Sequence, residues 1–209
     1  MFFFDDQIAN IQDVQTAFPS STCILIDPRP VQRDFREFQG NPYFHETEMN
    51  RGFQKEHAAM VTHATTIVLD WDKTLSVVEG IRMPWSHYTF EDIGMRLEDV
   101  CHVILGGHAR IAFLKSFFKR TKANIIVLTN NPSACPVSEV AHVFGDDPNA
   151  YNRPQFLRLI RFILPTFPEK NLIASHMYHG IKSVALKDFI KRRVNYGTRR
   201  NKRRIIQRK

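Results

Sequence analysis

The sequence predicts an α/β fold in which helices cover both faces of a parallel sheet. Two apolar runs, Thr65–Leu69 and Asn124–Leu128, have the short, β-branched character of strands buried on both faces. Between them, Arg110–Phe118 carries apolar residues at helical spacing. A strand, a helix and a strand in this order indicate a right-handed crossover between parallel strands. The predicted architecture is therefore a three-layer, Rossmann-like sheet.

Three further segments complete the expected order. Residues Met1 to about Ala17 have a mixed, helical pattern, and Cys23–Asp27 is typical of a short strand. We expect residues 1–64 to form an N-terminal extension that packs on the core or extends it, and residues 65–190 to form the core itself. Residues 76–107 lie between the first core strand and the first long helix, which predicts a short flap or small cap there.

The composition indicates one main domain without a membrane span. The chain has 209 residues, of which 43% are hydrophobic and 17 are phenylalanine, enough to bury a sizeable core. No apolar run approaches the roughly 20 residues of a membrane span, and the first residues lack the pattern of a signal peptide. The cysteines Cys23, Cys101 and Cys135 have no paired spacing and are expected to be reduced. We expect an intracellular protein, cytoplasmic or nuclear.

Two carboxylates follow the first core strand. Asp70 and Asp72 are two residues apart, so an extended chain points both the same way. Their mutual repulsion needs an offsetting charge, and Mg²⁺ is the usual one, because it prefers oxygen ligands. The other interpretation is that both aspartates only form the turn that ends the strand.

The run Asp70-Trp71-Asp72-Lys73-Thr74-Leu75 resembles the first motif of the haloacid dehalogenase (HAD) superfamily, most of whose members are Mg²⁺-dependent phosphohydrolases. The small-cap phosphatases of that superfamily are the nearest type. The resemblance implies that Asp70 is the nucleophile, that Asp72 is the general acid and base, and that both lie at the metal. A carboxylate nucleophile divides one hard displacement at phosphorus into two easier ones.

A second motif follows the second predicted strand. Thr129-Asn130-Asn131 is similar to the polar end of the corresponding strand in the HAD superfamily. The resemblance implies that Thr129 and Asn130 bind the oxygens of the transferred phosphoryl group, where fixed donors stabilise developing charge.

The third expected group is a cation at the start of a later helix. HAD proteins usually place a lysine there, and Arg153, followed by Pro154, is the best positional match. An arginine fork differs from an ammonium group, so the replacement is not neutral. Lys182 is the alternative candidate. For both residues an ordinary surface side chain remains the other interpretation.

The fourth expected group is one or two acids at the end of the next core strand, where they complete the metal site. The predicted strand Lys170–Ser175 is followed by His176, and neither Ser175 nor His176 is a hard anionic ligand. Asp146 and Asp147 precede the Arg153 helix, among turn-forming residues that favour a solvated loop. The acid of the fourth motif is therefore expected to be missing.

The C-terminus is strongly basic. The last 19 positions contain ten basic residues and no acid, which leaves 19 basic against 21 acidic residues elsewhere. We expect residues 191–209 to form a disordered tail that binds nucleic-acid phosphate or acts as a nuclear localisation signal, with a merely solubilising tail as the alternative. The clustered basic residues are Lys191, Arg192, Arg193, Arg199, Arg200, Lys202, Arg203 and Arg204.

Two functions therefore follow from the sequence. The first is a Mg²⁺-dependent phosphatase that acts through an aspartyl-phosphate, on nucleic-acid or phosphoprotein substrates. The second is a weak or inactive HAD-like module that binds nucleic acid or a protein through its basic tail. The retained Asp70 and Asp72 favour the enzyme, because two close carboxylates repel one another when no cation is bound.

Overall fold

The computed structural model describes residues 1–26, 52–78, 83–84, 88–136 and 151–193. These residues contain a five-stranded sheet in the order β2-β1-β3-β4-β5, and every neighbouring pair of strands is parallel. The predicted parallel α/β sheet is confirmed. The strands are β1 (Phe2–Asp5), β2 (Thr22–Leu25), β3 (Thr66–Leu69), β4 (Asn124–Thr129) and β5 (Leu172–Ala174).

Helices cover both faces of the sheet, which makes three layers. On one face, Val14 of α1 and Leu186 of α6 pack against Phe3 and other residues of the strands. On the opposite face, α3, α4 and α5 enclose a larger core that includes Phe4. The helices are α1 (Ile8–Ala17), α2 (Lys55–Met60), α3 (Leu97–Ile104), α4 (Gly107–Arg120), α5 (Arg153–Ile163) and α6 (182–193).

The first residues form a strand, so the helical pattern predicted from Met1 is wrong for this part. Phe3 and Phe4 are fully buried and belong to the cores on opposite faces of the sheet. A strand buried on both faces has no polar side to produce alternation, and its continuous apolar run can be mistaken for part of a helix. The helix begins only at Ile8, after Asp5 accepts the Gln7 N–H.

The predicted N-terminal extension supplies two strands of the common sheet. β1 lies between β2 and β3, and β2 forms one edge. Residues 27–51 lie outside the described part.

The predicted flap begins directly after the turn at Asp70. In its described part, Val77 donates its N–H to the Ile104 carbonyl, and α3 packs into the larger core. A bidentate pair between Arg158 and Glu91, with two N–O distances of 2.7 Å, joins this segment to α5. The flap therefore packs closely on the core where it is described, while residues 79–82 and 85–87 lie outside the description.

Two more sequence predictions concern the end of the chain and the Asp146 loop. α6 continues to residue 193, so the first three residues of the predicted tail are helical. Residues 194–209 lie outside the described part, as do Asp146 and Asp147.

The turn after β3 is held by one buried arginine. The Arg110 guanidinium donates to the carbonyls of Leu75, Leu105 and Thr74 at 2.7 to 3.0 Å, and to that of Phe53 at 3.3 Å. Burial lowers the pKa of Arg110 to about 9. Because one buried guanidinium joins carbonyls from three separate segments, it fixes the backbone that leaves Asp70.

Replacing Arg110 tests this role. We expect Arg110→Ala to lower the free energy of unfolding by about 3 kcal/mol, because buried carbonyls lose their donor. Urea denaturation measures the change, with Arg120→Ala on the exposed end of the same helix as the matched control. A loss below 1 kcal/mol in Arg110→Ala would show that the turn does not depend on this side chain.

Candidate metal and phosphate site

The strand register brings two acidic turns together. β1 and β3 pair with Phe4 opposite Leu69, so the next residues, Asp5 and Asp70, leave the sheet side by side. Asp70 donates its N–H to the Phe4 carbonyl at 3.0 Å, which continues the ladder to this point. Asp6 follows Asp5 directly. Because ligands of parallel sheets bind beyond the carboxyl ends of the strands, these side chains lie where a site is expected.

Asp5, Asp6 and Asp70 form a buried acidic cluster. One carboxylate oxygen from each lies within 4.8 Å of the others, and the residues are 0%, 6% and 4% exposed. The Oδ1 atom of Asp6 is buried and accepts no hydrogen bond. An unpaired buried carboxylate oxygen is costly, and a cation is the group that would satisfy it. This triad could hold a metal ion.

Lys182 is the principal cation at the cluster. Its Nζ donates to Asp5 Oδ2 at 2.6 Å and lies 2.8 Å from Asp70 Oδ1. The second contact is an ion pair rather than a well-directed hydrogen bond, because the Asp70 oxygen has no partner of hydrogen-bond geometry. Lys73 adds a longer contact of 4.0 Å to Asp6. Within the described part of the chain, the three carboxylates therefore face one close ammonium group and one distant one.

The three acids are not equivalent as ligands. Asp5 Oδ1 already accepts the Gln7 N–H at 2.9 Å and the Asn10 side-chain amide at 3.0 Å, and its Oδ2 accepts Lys182. Asp5 therefore acts mainly to hold the lysine and the start of α1. Asp6 and Asp70 keep oxygens that are open to a cation.

Two contacts fix the position of Lys182 at the start of α6. The carboxylate of Asp13 accepts the Ser183 N–H at 2.9 Å and the Ser183 hydroxyl at 2.7 Å, which ties α6 to α1. Gly180 lies against the Asn130 side chain, where a Cβ atom would come within 3.3 Å of the amide oxygen. With a φ of +79°, position 180 also favours glycine. The backbone on both sides of Lys182 is thus constrained, by Ser183 after it and by Gly180 before it.

The electrostatics of the cluster favour a bound cation. Burial raises the pKa of Asp70 well above its ordinary value, and the charges of Asp5 and Asp72 raise it further against the attraction of Lys182. Burial, followed by the charge of Asp5, also raises the pKa of Asp6. Burial by itself would lower the pKa of Lys182, but Asp70 and Asp5 outweigh it and raise that pKa. The lysine is charged, and the raised pKa values of Asp6 and Asp70 show that the described cations do not fully offset the acidic charge at the cluster.

The end of β4 supplies polar groups beside the acids. Thr129 is fully buried, and its Oγ1 accepts the Asn131 N–H at 3.1 Å. Asn131 in turn accepts the Ser133 N–H at 2.9 Å, so the chain turns sharply here. Ser175, which follows β5, donates its hydroxyl to the Thr129 carbonyl at 3.1 Å. The Thr129 loop is thereby fixed in one conformation.

Of the two cations proposed from sequence, the structure places Lys182 against the carboxylates. Arg153 is also buried, but its guanidinium donates to the carbonyls of Ala134 and Leu172 and pairs with Glu169 at 3.0 Å. It joins the start of α5 to the edge of the sheet and is not in contact with the acidic cluster. Asp72 interacts electrostatically with Asp70 but is not a member of the cluster.

Asp5 and Asp6 are the residues that sequence reasoning missed. The acid of the fourth motif was expected after β5, where Ser175 and His176 lie. The acids lie instead after β1, near the start of the chain. The signal was present, because Phe2-Phe3-Phe4-Asp5-Asp6 is an apolar run that ends in carboxylates, as the run before Asp70 does. The helical interpretation of the first residues concealed it.

No protein-family model, curated protein or solved structure matches this chain. The chemistry of the site therefore has to be inferred from its own residues. Among the described helices, none is long and apolar enough to cross a membrane.

Removing one acid should stabilise the metal-free protein. We expect Asp6→Asn to raise the free energy of unfolding at pH 7.5 by about 1 kcal/mol, or about 2–4 °C in melting temperature, because it removes a charge that burial and Asp5 oppose. Thermal unfolding in EDTA measures the effect, and Asp99→Asn, at an exposed position of α3, is the control. A destabilised Asp6→Asn protein would mean that the ionised carboxylate is well satisfied.

Stabilisation by Mg²⁺ should increase with pH. Because the pKa values of Asp6 and Asp70 are raised in the folded chain, their stabilising contribution is complete below about pH 4 and is lost as pH rises through the folded values. A bound divalent cation restores the stability lost at high pH, because the cation binds the carboxylates in their ionised form. At a hundredfold excess over Kd, we expect Mg²⁺ to add about 2.7 kcal/mol at pH 8 and far less at pH 5. Melting temperatures are compared at both pH values, with and without Mg²⁺. An equal increase in melting temperature at pH 5 and pH 8 would contradict the proposed ligands.

Proposed function

We propose that this protein is a Mg²⁺-dependent phosphohydrolase of the HAD type, with Asp70 as its nucleophile. The observation that carries the proposal is the convergence of Asp70, Asp6 and Lys182 at one end of the sheet. The three residues come from β3, β1 and α6, and all are buried. A nucleophilic carboxylate, a second acid for a cation and a lysine that offsets their charge are the groups that phosphoryl transfer needs.

The order of these groups along the chain supports a rotated arrangement of the HAD motifs. In the family that the sequence resembles, the nucleophile strand is followed by the hydroxyl strand, the lysine helix and finally the acid strand. Here Asp70, Thr129 and Lys182 follow in that order, while the acid strand that ends in Asp5 and Asp6 comes first. Moving β1 from the end of the series to its start gives the observed order. The acid that was expected to be missing is thus provided from another place in the sequence.

Asp70 would attack the phosphorus of a phosphate monoester. As the bond from its carboxylate oxygen to phosphorus forms, the bond from phosphorus to the leaving oxygen breaks, and Asp72 gives that oxygen a proton. In the second half, Asp72 takes a proton from water while the water oxygen attacks phosphorus. The bond between Asp70 and phosphorus then breaks, which restores both carboxyl groups and releases inorganic phosphate.

The neighbouring groups would bind the phosphoryl oxygens. Thr129 Oγ1 accepts the Asn131 N–H, so the hydrogen of its own hydroxyl is the one available to donate. Lys182, already 2.8 Å from Asp70, offsets the charge that collects as a phosphate approaches a carboxylate. Asp6 and Asp70 are the oxygen ligands that would hold Mg²⁺, which when bound would neutralise phosphate charge and align the phosphoryl group.

The acids from β1 weaken the case for an inactive module. That alternative depended on an incomplete metal site, and the cluster of Asp5, Asp6 and Asp70 contains more acid than the sequence motifs predicted. The proposed class of substrate follows from the charge of the C-terminal residues. A basic C-terminal run favours phosphates that are carried by nucleic acids or by nucleic-acid-associated phosphoproteins.

Hydrolysis of an aryl phosphate tests the proposal. We expect Mg²⁺-dependent turnover that falls at least a thousandfold in Asp70→Asn, because the amide cannot act as the nucleophile. The control Asp99→Asn should keep full activity. Release of the aryl alcohol is followed by absorbance, and quenched samples are examined for phosphate bound to the protein.

The same assay tests whether Asp6, the acid that follows β1, is a ligand of Mg²⁺. Asp6→Asn should raise the Mg²⁺ concentration needed for half-maximal rate by at least tenfold, about 1.4 kcal/mol. Turnover in Asp70→Asn, turnover in excess EDTA, or an unchanged Mg²⁺ requirement in Asp6→Asn would each contradict the proposal.

A further inference from the structure

A groove lies along the open edge of the sheet. It has a volume of about 790 Å³ and runs between β5 and α6, with the start of α5 at one side. β5 is the last strand of the described sheet and pairs only with β4. The groove is therefore separate from the acidic cluster, which lies at the ends of β1 and β3.

The floor of this groove is apolar and partly aromatic. Leu172, Ile173 and Ala174 of β5 form it together with Met177 and Phe189. Phe189 is half-buried, and the guanidinium of Arg193 lies 5.0 Å from the centre of its ring. A ring with a stacked guanidinium offers the flat surface on which nucleobases stack.

The rim of the groove is positively charged. Four cations line it against one acid, Asp188. Arg192 pairs with Asp188 at 2.7 Å, and Arg153 pairs with Glu169. Among the described residues, Lys170 and Arg193 have no carboxylate partner, and both side chains are exposed. The Arg193 guanidinium also donates to the neutral Asn171 Oδ1 at 3.2 Å. Neither cation is neutralised by a described carboxylate, so the rim keeps two positive charges for an anionic ligand.

The charge of the groove continues along the chain. α6 forms one wall and ends at residue 193, and the 16 residues that follow contain seven basic side chains and no acid. An apolar, partly aromatic floor with a cationic rim, in a chain whose next 16 residues add seven basic side chains, matches a ligand with repeated negative charges and exposed flat rings. Single-stranded nucleic acid has both, whereas a duplex hides its ring faces and an acidic peptide lacks regular stacking groups.

We propose that the groove between β5 and α6 binds single-stranded nucleic acid. Phosphates contact Lys170 and Arg193, while a base stacks on the Phe189 and Arg193 pair. This binding does not depend on the proposed hydrolysis, since none of these residues belongs to the acidic cluster.

Binding of a fluorescent oligonucleotide to the full chain tests the proposal. Anisotropy titrations at several salt concentrations compare a single strand, the matching duplex and poly-glutamate. Three variants are measured: Lys170→Ala with Arg193→Ala, Phe189→Ala, and the control Lys55→Ala with Lys119→Ala, whose side chains are exposed on α2 and α4. Ile190→Ala, on α6 but outside the groove lining, is the control for Phe189.

Losing Lys170 and Arg193 should weaken single-strand binding at least tenfold. It should also reduce the slope of log K against log salt by about 1.4, which is two phosphate contacts at about 0.7 each. Phe189→Ala should weaken single-strand binding about tenfold and leave poly-glutamate binding unchanged. Both controls should bind as the unmodified chain does.

Three outcomes would overturn the proposal. If the Lys170 and Arg193 double variant and the Lys55 and Lys119 double variant lose the same affinity for the single strand, binding depends on net charge alone. No change in Phe189→Ala, with its melting temperature preserved, would exclude stacking in the groove. Tighter binding of poly-glutamate than of the single strand would identify an acidic peptide as the ligand. If Phe189→Ala does not fold, Phe189→Leu replaces it, since leucine fills the space without an aromatic face.

Discussion

The rest of the site depends on the charge balance of three buried carboxylates. Lys182 contacts Asp5 and Asp70 together, and Asp5 is separated from the lysine by 177 positions in the chain. Ionised acids at this depth are tolerated only with opposite charge nearby. The contact that places Lys182 against Asp5 and Asp70 therefore also holds the first strand and the last described helix together. Both the fold and the proposed site therefore depend on this ion pair, because neither the ammonium group nor the carboxylates would be stable if buried alone.

The position of β1 explains why the acids reach Asp70 at all. A first strand placed at the edge of the sheet would have carried Asp5 and Asp6 away from β3. Here it lies between β2 and β3, and the parallel register places both turns at the same level. The proposed phosphoryl transfer places no condition on the order of these groups along the chain, since a site's chemistry depends on where its groups lie in space.

α6 connects the two proposed functions. Its first residue, Lys182, lies in the acidic cluster, and its last turn forms the cationic wall of the groove. The helix covers residues 182–193 and is therefore about 18 Å long, given a rise of about 1.5 Å per residue. Asp13 holds its first turn through Ser183, so the position of the groove wall and the position of the lysine are set by one rigid element. A nucleic-acid strand in the groove would lie along the helix that starts at the acidic cluster.

The sequence by itself determined the local features of this protein. Buried strands before Asp70 and Thr129 have a distinct apolar pattern, and both positions at the ends of β3 and β4 followed from it, as did the parallel sheet. The tertiary structure decided which distant groups join them. Asp5 and Asp6 became part of the site through the strand order, and Lys182 rather than Arg153 became its cation through the packing of α6 on α1. These contacts join residues that are far apart in sequence, and local patterns carry no information on how strands order themselves or which helix ends meet.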